Sequence, residues 1–267
     1  MTPRHESSKP ADRRQSPRPR IGRARSRLVM VAMAVSVTAS CTSGGAEASD
    51  TTSRTDAVKV TVAGDSISLG LGVTMREEFE GGDITLDGSG AAGERSGELE
   101  VKAIGIDGTG LARPDNFDWP RRLEELATDF PPDVLVLSVG SNDGQDLTDA
   151  DGDVVATMAD SQAWDDEYRS RLARAFDAFA DTGTQVVWLG HVRTEDDLVA
   201  DTNRHIHDLA TEVASTRDWV TVADLAELTG SGAQSTSQCL RSDGLHLIAE
   251  CYAGASGALL EQIGSTG

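Results

Sequence analysis

Val58-Lys59-Val60-Thr61-Val62-Ala63-Gly64-Asp65-Ser66 is the stretch that decides the fold. Apart from Lys59, residues 58–63 are apolar or β-branched, the pattern of a strand covered on both faces of a parallel sheet. Gly64-Asp65 ends the run, and residues 69–79 read as a helix. A strand that turns at once into a helix is the first half of a βαβ unit, because parallel neighbours need a crossover connection.

The same alternation continues along the chain. Strands are predicted at 98–104, 134–139, 185–189 and 219–222, and helices at 119–130, 164–180, 197–215 and 247–263. Leu123, Leu126, Ala127 and Phe130 share one side of the first of these helices; Leu172, Ala175, Phe176 and Phe179 share one side of the second. The expectation is one α/β domain over 58–267, a doubly wound, flavodoxin-like parallel sheet with helices on both faces and right-handed crossovers. In such sheets the functional groups gather beyond the carboxyl ends of the strands. Ser66 and Asn142 both follow strands and fall on that edge. Residues 81–97, rich in Gly, and 144–163, rich in Asp, read as irregular insertions beside it.

The N-terminus reads as an address. Seven arginines from Arg13 to Arg27 precede an apolar stretch at 28–39, and Ala39-Ser40 leads into Cys41. This is a signal-peptide pattern, with an apolar core shorter than the roughly 20 residues of a membrane-spanning helix. The Ala39-Ser40-Cys41 end resembles a bacterial lipoprotein cleavage site, with Thr38 where that pattern usually has Leu. Residues 1–41 are therefore expected to direct export, with Cys41 as a candidate lipidation site. Residues 42–57 are Ser, Thr, Gly, Ala and acids without apolar periodicity, and read as a flexible tether.

Charge divides at the same point. Beyond Cys41 the chain carries 15 basic and 42 acidic side chains, so its surface repels phosphate polymers and anionic membranes. The three cysteines divide likewise. Cys239 and Cys251 flank Asp243-Gly244-Leu245-His246, where an exported chain permits a disulfide, and Cys41 is left alone.

Three short motifs carry chemistry: Gly64-Asp65-Ser66, Gly140-Ser141-Asn142-Asp143 and Asp243-Gly244-Leu245-His246. Acyl transfer needs a nucleophile, a base oriented by a carboxylate, and donors for an oxyanion, and these motifs contain all three kinds of group. Alone, a Ser at a strand-to-helix turn is an ordinary helix cap. Asp65 and Asp143 are read as braces of their turns. His205 and His207 lie two apart in a predicted helix, on different faces, so no metal pair is read there; His191 follows a strand end and is read as a pocket-lining candidate or an ordinary loop residue. The acidic run at 149–153 has Gly152 out of place for a calcium loop and no closing Glu.

Over residues 58–267 these motifs resemble the SGNH hydrolase superfamily, also called GDSL esterases and lipases. The resemblance implies Ser66 as nucleophile, His246 as base, Asp243 as its orienting acid, and Asn142 and the Ser66 N–H as oxyanion donors. It implies a further donor from a backbone N–H within Gly105-Ile106-Asp107-Gly108-Thr109-Gly110-Leu111, where Gly108 and Gly110 are the candidates and Gly110 is preferred. Residues 105–119 and 140–145 are similar to SGNH domains associated with carbohydrate O-acylation. The resemblance thus implies a monomeric exported esterase acting on small-molecule or glycan O-acyl esters through an acyl-serine. It needs no cofactor, metal or nucleic acid, and meets the membrane only through Cys41. An O-acyltransferase with the same triad, or a glycan-binding module without turnover, are the alternatives.

Overall fold

The computed structural model describes residues 57–86, 95–190, 194, 196–229 and 236–266. The segments expected to be a signal peptide and a tether, with Cys41, lie outside the described residues except for Ala57, and so does His191.

The opening run forms β1 (Val58–Gly64) and passes into α1 (Ser66–Phe79). After it come β2 (Asp83–Leu86), β3 (Arg95–Gly105), α2 (Trp119–Asp129), β4 (Val134–Ser138), β5 (Leu147–Thr148), β6 (Val154–Ala156) and α3 (Ser161–Asp177). The chain continues through β7 (Gln185–Gly190), α4 (Asp197–Ala214), β8 (Val220–Asp224), the short helices α5 (Leu225–Leu228) and α6 (Thr236–Cys239), α7 (Ala249–Ile263) and β9 (Gly264–Thr266). Asp65, Asp118, Asp160, Asp196 and Asp224 cap α1 to α5, each carboxylate accepting a backbone N–H of the first turn. Part of the acid excess therefore starts helices, at typically about 1 kcal/mol per cap.

The main sheet has the order β8-β7-β4-β1-β3-β2-β9. Its five strands from β8 to β3 are parallel, and in chain order their arrangement is the flavodoxin-like one that the alternation predicts. Side chains alternate across it. Leu135, Leu137, Val186 and Trp188 pack into one cluster with Leu123 of α2, Phe176 of α3 and Ile206 of α4. Val60, Val62, Val136 and Leu189 pack into the other with Leu71 and Met75 of α1 and Leu259 of α7. Both faces are thus covered, and each fully buried aliphatic contributes roughly 1.5–3 kcal/mol. No helix among the described residues is long and apolar enough to cross a membrane.

Three expectations are corrected. The segment at 81–97 is not simply irregular: β2 pairs antiparallel with the start of β3, and β9 adds antiparallel to β2. The segment at 144–163 contains an antiparallel hairpin, β5 with β6, and the Thr148 N–H bonds the Ala112 carbonyl at 3.0 Å. These strands of two to four residues are too short to show a period-two pattern. Third, α1 begins at Ser66 rather than at 69, because the Asp65 carboxylate caps it there.

Candidate active site

Beyond the carboxyl end of β1, the chain turns at Gly64 with φ +140°, a conformation that L side chains rarely adopt. A Cβ at Gly64 would collide with the Ser138 carbonyl, so the Gly64–Ser66 turn lies close against the end of β4. Asp65 N–H bonds Ser138 O at 3.0 Å and Ile106 N–H bonds Gly64 O at 2.9 Å, which fixes the turn to both neighbouring strands. Ser66 is then the first residue of α1, with its N–H at the positive end of the helix.

His246 reaches Ser66 from the far end of the chain. Its Nε2 lies 2.7 Å from Ser66 Oγ, and its Nδ1 lies 3.1 Å from Asp243 Oδ2. Asp243 Oδ1 accepts the backbone N–H groups of His246 and Leu245 at 2.9 and 3.0 Å. Those bonds, with the nearby imidazole, hold the Asp243 carboxyl down to about 2, so it is ionised at neutral pH. An ionised Asp243 on Nδ1 favours the tautomer whose Nε2 is free to accept the Ser66 proton.

The loop that carries both residues is closed on itself. Cys239 and Cys251 form a disulfide, twelve residues apart, as the sequence expects. Inside it Leu240 bridges Leu247, Arg241 N–H bonds His246 O at 2.7 Å, and Ile248 N–H bonds Cys239 O at 2.8 Å.

The Gly140-to-Asp143 turn lies beyond β4. Asn142 Nδ2 donates to Thr109 O at 3.0 Å and lies 3.5 Å from Asp65 Oδ2, so its amide sits between the Gly64–Ser66 turn and the 105–111 loop. Thr109 is held in turn by Trp119, whose Nε1 donates to its hydroxyl at 2.9 Å. Gly110 packs so closely on Asp143 that a Cβ would run into the carboxylate, whereas a Cβ at Gly108 would meet open space. Neither the Ser66 nor the Gly110 N–H donates to a group among the described residues.

Two buried carboxylates support this arrangement. Asp143 accepts Leu111 N–H at 2.8 Å, Ala112 N–H at 2.9 Å and Tyr168 O–H at 2.8 Å. Burial raises its pKa, and the three bonds and Arg171 oppose the shift. Asp65 is fully buried, and burial with the Asp143 charge nearby pushes it up to about 7 against the backbone bonds from Ile67 and Ser68.

The motif residues therefore meet at one sheet edge. The other candidates do not join them: His205 pairs with Asp165 at 2.7 Å on an exposed face, and Asp149 accepts the N–H groups of Asp151 and Asp153 as an ordinary turn residue. Among the described residues there is no group of three or more metal-ligating side chains. Tyr168, Trp119 and Arg171 lie outside the three motifs, yet all three hold the loops of the site. A signal existed for Tyr168, a hydroxyl one turn before Leu172 on the buried stripe of α3.

The family described as "Protein of unknown function (DUF459)" matches residues 59–247. No curated protein matches the chain. Among solved structures, the lipase/acylhydrolase from Enterococcus faecalis is similar at 16% identity and TM-score 0.51, over 78% of this chain and 98% of that one. A member of the lipolytic protein G-D-S-L family from Veillonella parvula is similar at 16% identity and TM-score 0.50, over 76% and 96%. A GDSL-like lipase from Bacteroides thetaiotaomicron is similar at 14% identity and TM-score 0.50, over 77% and 87%. At these identities the likeness is one of fold, and the fold is that of the SGNH and GDSL hydrolases.

Proposed function

From a chain that belongs to the DUF459 family, a family of unknown function, and that has the SGNH hydrolase fold, we propose a serine esterase that cleaves O-acyl esters through an acyl-Ser66 intermediate. One observation carries the reading: the continuous path Asp243–His246–Ser66, with contacts of 3.1 and 2.7 Å. Hydrogen-bonded groups in this order are what nucleophilic catalysis by a serine requires.

As Ser66 Oγ attacks the ester carbonyl carbon, His246 Nε2 takes its proton and Asp243 stabilises the imidazolium. The tetrahedral oxyanion is received by the Ser66 and Gly110 N–H groups and by Asn142 Nδ2. His246 then protonates the departing alcohol. Water attacks the acyl-enzyme with His246 again as base, which releases the acid and restores Ser66. Gly110 rather than Gly108 is the backbone donor in this reading, because Gly110 is packed against Asp143, the residue after Asn142, whereas Gly108 faces open space.

The reading extends to export, for which the disulfide and the arginine-led apolar segment ending at Cys41 speak. The substrate proposed is a short acyl ester, on a glycan or small molecule, handled by a monomer. The test is hydrolysis of a nitrophenyl ester series from acetate to palmitate, by the chain from residue 50 onward, beside Ser66→Ala. Short-chain activity that vanishes in the variant is expected; turnover that persists in Ser66→Ala would remove Ser66 as nucleophile.

A further inference from the structure

Arg171 lies in the middle of α3, outside every motif, with a side chain only 11% exposed. Its Nη1 donates to the carbonyls of Leu111 at 2.7 Å and Ala112 at 3.0 Å, and its Nη2 to the carbonyl of Thr148 at 2.6 Å. Nε donates to Glu167 at 2.8 Å, so four of the five N–H groups that a guanidinium offers are engaged. Three of the four go to main-chain oxygens, an unusual concentration on two peptide segments. One segment directly follows Gly110, and the other is β5 of the hairpin.

On the opposite side of Leu111-Ala112 stands the Asp143 carboxylate, which takes both N–H groups. Leu111 and Ala112 thus have their N–H groups on the Asp143 carboxyl and their C=O groups on the Arg171 guanidinium. The Gly110 N–H belongs to the Thr109–Gly110 peptide plane, whose carbonyl accepts Asn142 Nδ2 at 3.0 Å, and the clamp fixes the next plane through the Leu111 N–H; with both planes held, the φ and ψ of Gly110, and so the direction of its N–H, are set between them. A preorganised donor of this kind acts because it costs no reorientation when charge develops.

We propose that Arg171 is a positioning residue, which, together with Asp143, holds the 110–112 loop so that the Gly110 N–H faces the oxyanion of the reaction. The proposal rests on the esterase reading above. Its chemistry is passive: no proton or electron moves through Arg171, and its contribution is the fixed aim of a neighbour's donor. A displacement of about 1 Å in a reacting geometry can cost about 100-fold in rate. Loss of the clamp is therefore expected to lower kcat by about 10- to 100-fold with KM changed less than about threefold.

The test uses Arg171→Met, which keeps the apolar stem, and Arg171→Lys, which keeps the charge but not the fork. Arg174→Met, which removes an exposed partner of Glu124 one turn away, is the control. Two readouts are taken. The first is amide hydrogen exchange at Leu111 and Ala112, which needs no turnover; it is expected to rise at least tenfold in Arg171→Met and to stay unchanged in Arg174→Met. The second is kcat for the best nitrophenyl ester beside inhibition by an alkyl boronic acid, whose tetrahedral adduct on Ser66 presents an oxygen to the donors. The boronate inhibition constant is expected to weaken in step with kcat across wild type, Arg171→Lys and Arg171→Met. Unchanged exchange in folded variants overturns the clamp. Faster exchange with wild-type kcat, or a fall in kcat without weaker boronate binding, overturns its role in the oxyanion site. A wild type that exchanges slowly and hydrolyses no ester overturns the esterase reading and leaves the clamp itself measured.

Discussion

Asp65 turns one carboxylate oxygen to the Ile67 N–H at 2.9 Å and the other towards the Asn142 amide at 3.5 Å, so the residue before the proposed nucleophile touches a proposed oxyanion donor. The contact is made in a buried place, where the carboxyl is pushed up to about 7.

This sets a pH dependence of stability. The folded pKa stands above the unfolded value of 3.8, so between about pH 4 and pH 7 the folded state binds more protons than the unfolded chain. Stability from this group is full below about pH 4 and falls as pH rises to about 7. Asp65→Asn keeps an oxygen for the cap and removes the titration. Chemical unfolding at a series of pH values should show the variant gaining on wild type across that window, by at most about 4 kcal/mol for a shift of about three units. A stability difference that does not change with pH would contradict the burial argument.

Asn142→Ala removes the side-chain donor and leaves Thr109 O without its amide partner. In the esterase reading kcat should fall by about 100- to 1,000-fold, with KM changed only a few-fold. Steady-state kinetics on one short ester decides this, and a variant within tenfold of wild type would exclude Asn142 as an oxyanion donor.

Asp243→Asn tests the tautomer. Its amide nitrogen, turned to His246 Nδ1, would favour the imidazole with its proton on Nε2, which cannot accept from Ser66. A fall in kcat of about 10,000-fold is expected, the scale seen when a triad acid is replaced by its amide. Labelling of Ser66 by a fluorophosphonate should slow in parallel, and labelling at the wild-type rate would place the orienting role elsewhere.

Opening the Cys239–Cys251 bridge should cost about 2–3 kcal/mol on the chain-entropy account of a loop of this length. The double Cys→Ser variant is expected to unfold at a lower temperature in the absence of reductant. Wild type in strong reductant should move towards it. If the two melt together at the higher temperature, the bridge contributes no stability.

Tyr168→Phe withdraws one of the three bonds to buried Asp143. An unmet bond of this kind costs about 1–3 kcal/mol. The Tyr168 hydroxyl favours the ionised carboxylate, so the penalty should be larger at high pH, with Asp143 ionised, than at low pH, with it protonated. Losses equal at both ends of the pH range would mean that Asp143 is not the partner that matters.

How far the sequence is legible depends on the range of each interaction. The run from Val58 to Ala63 and the 134–139 segment announce central strands because burial on both faces leaves almost no polar position in them. Ser66, Asn142, Asp243 and His246 are visible because each lies in a short motif whose chemistry is local. β2, β5 and β9 are not visible, since two to four residues hold by pairing with partners that spacing does not reveal. Arg171 is hidden for another reason. It reads as one more basic residue on a helix in which Arg169 and Arg174 bind exposed carboxylates, and only the tertiary arrangement brings its guanidinium to Leu111, Ala112 and Thr148.

Ser66 and His246 are 180 residues apart, joined only when α7 lies against α1. A chain emerging from synthesis, or crossing a membrane unfolded, holds its serine long before it holds the imidazole. In the esterase reading, turnover therefore waits on the last helix: until α7 docks against α1, the serine has no imidazole beside it.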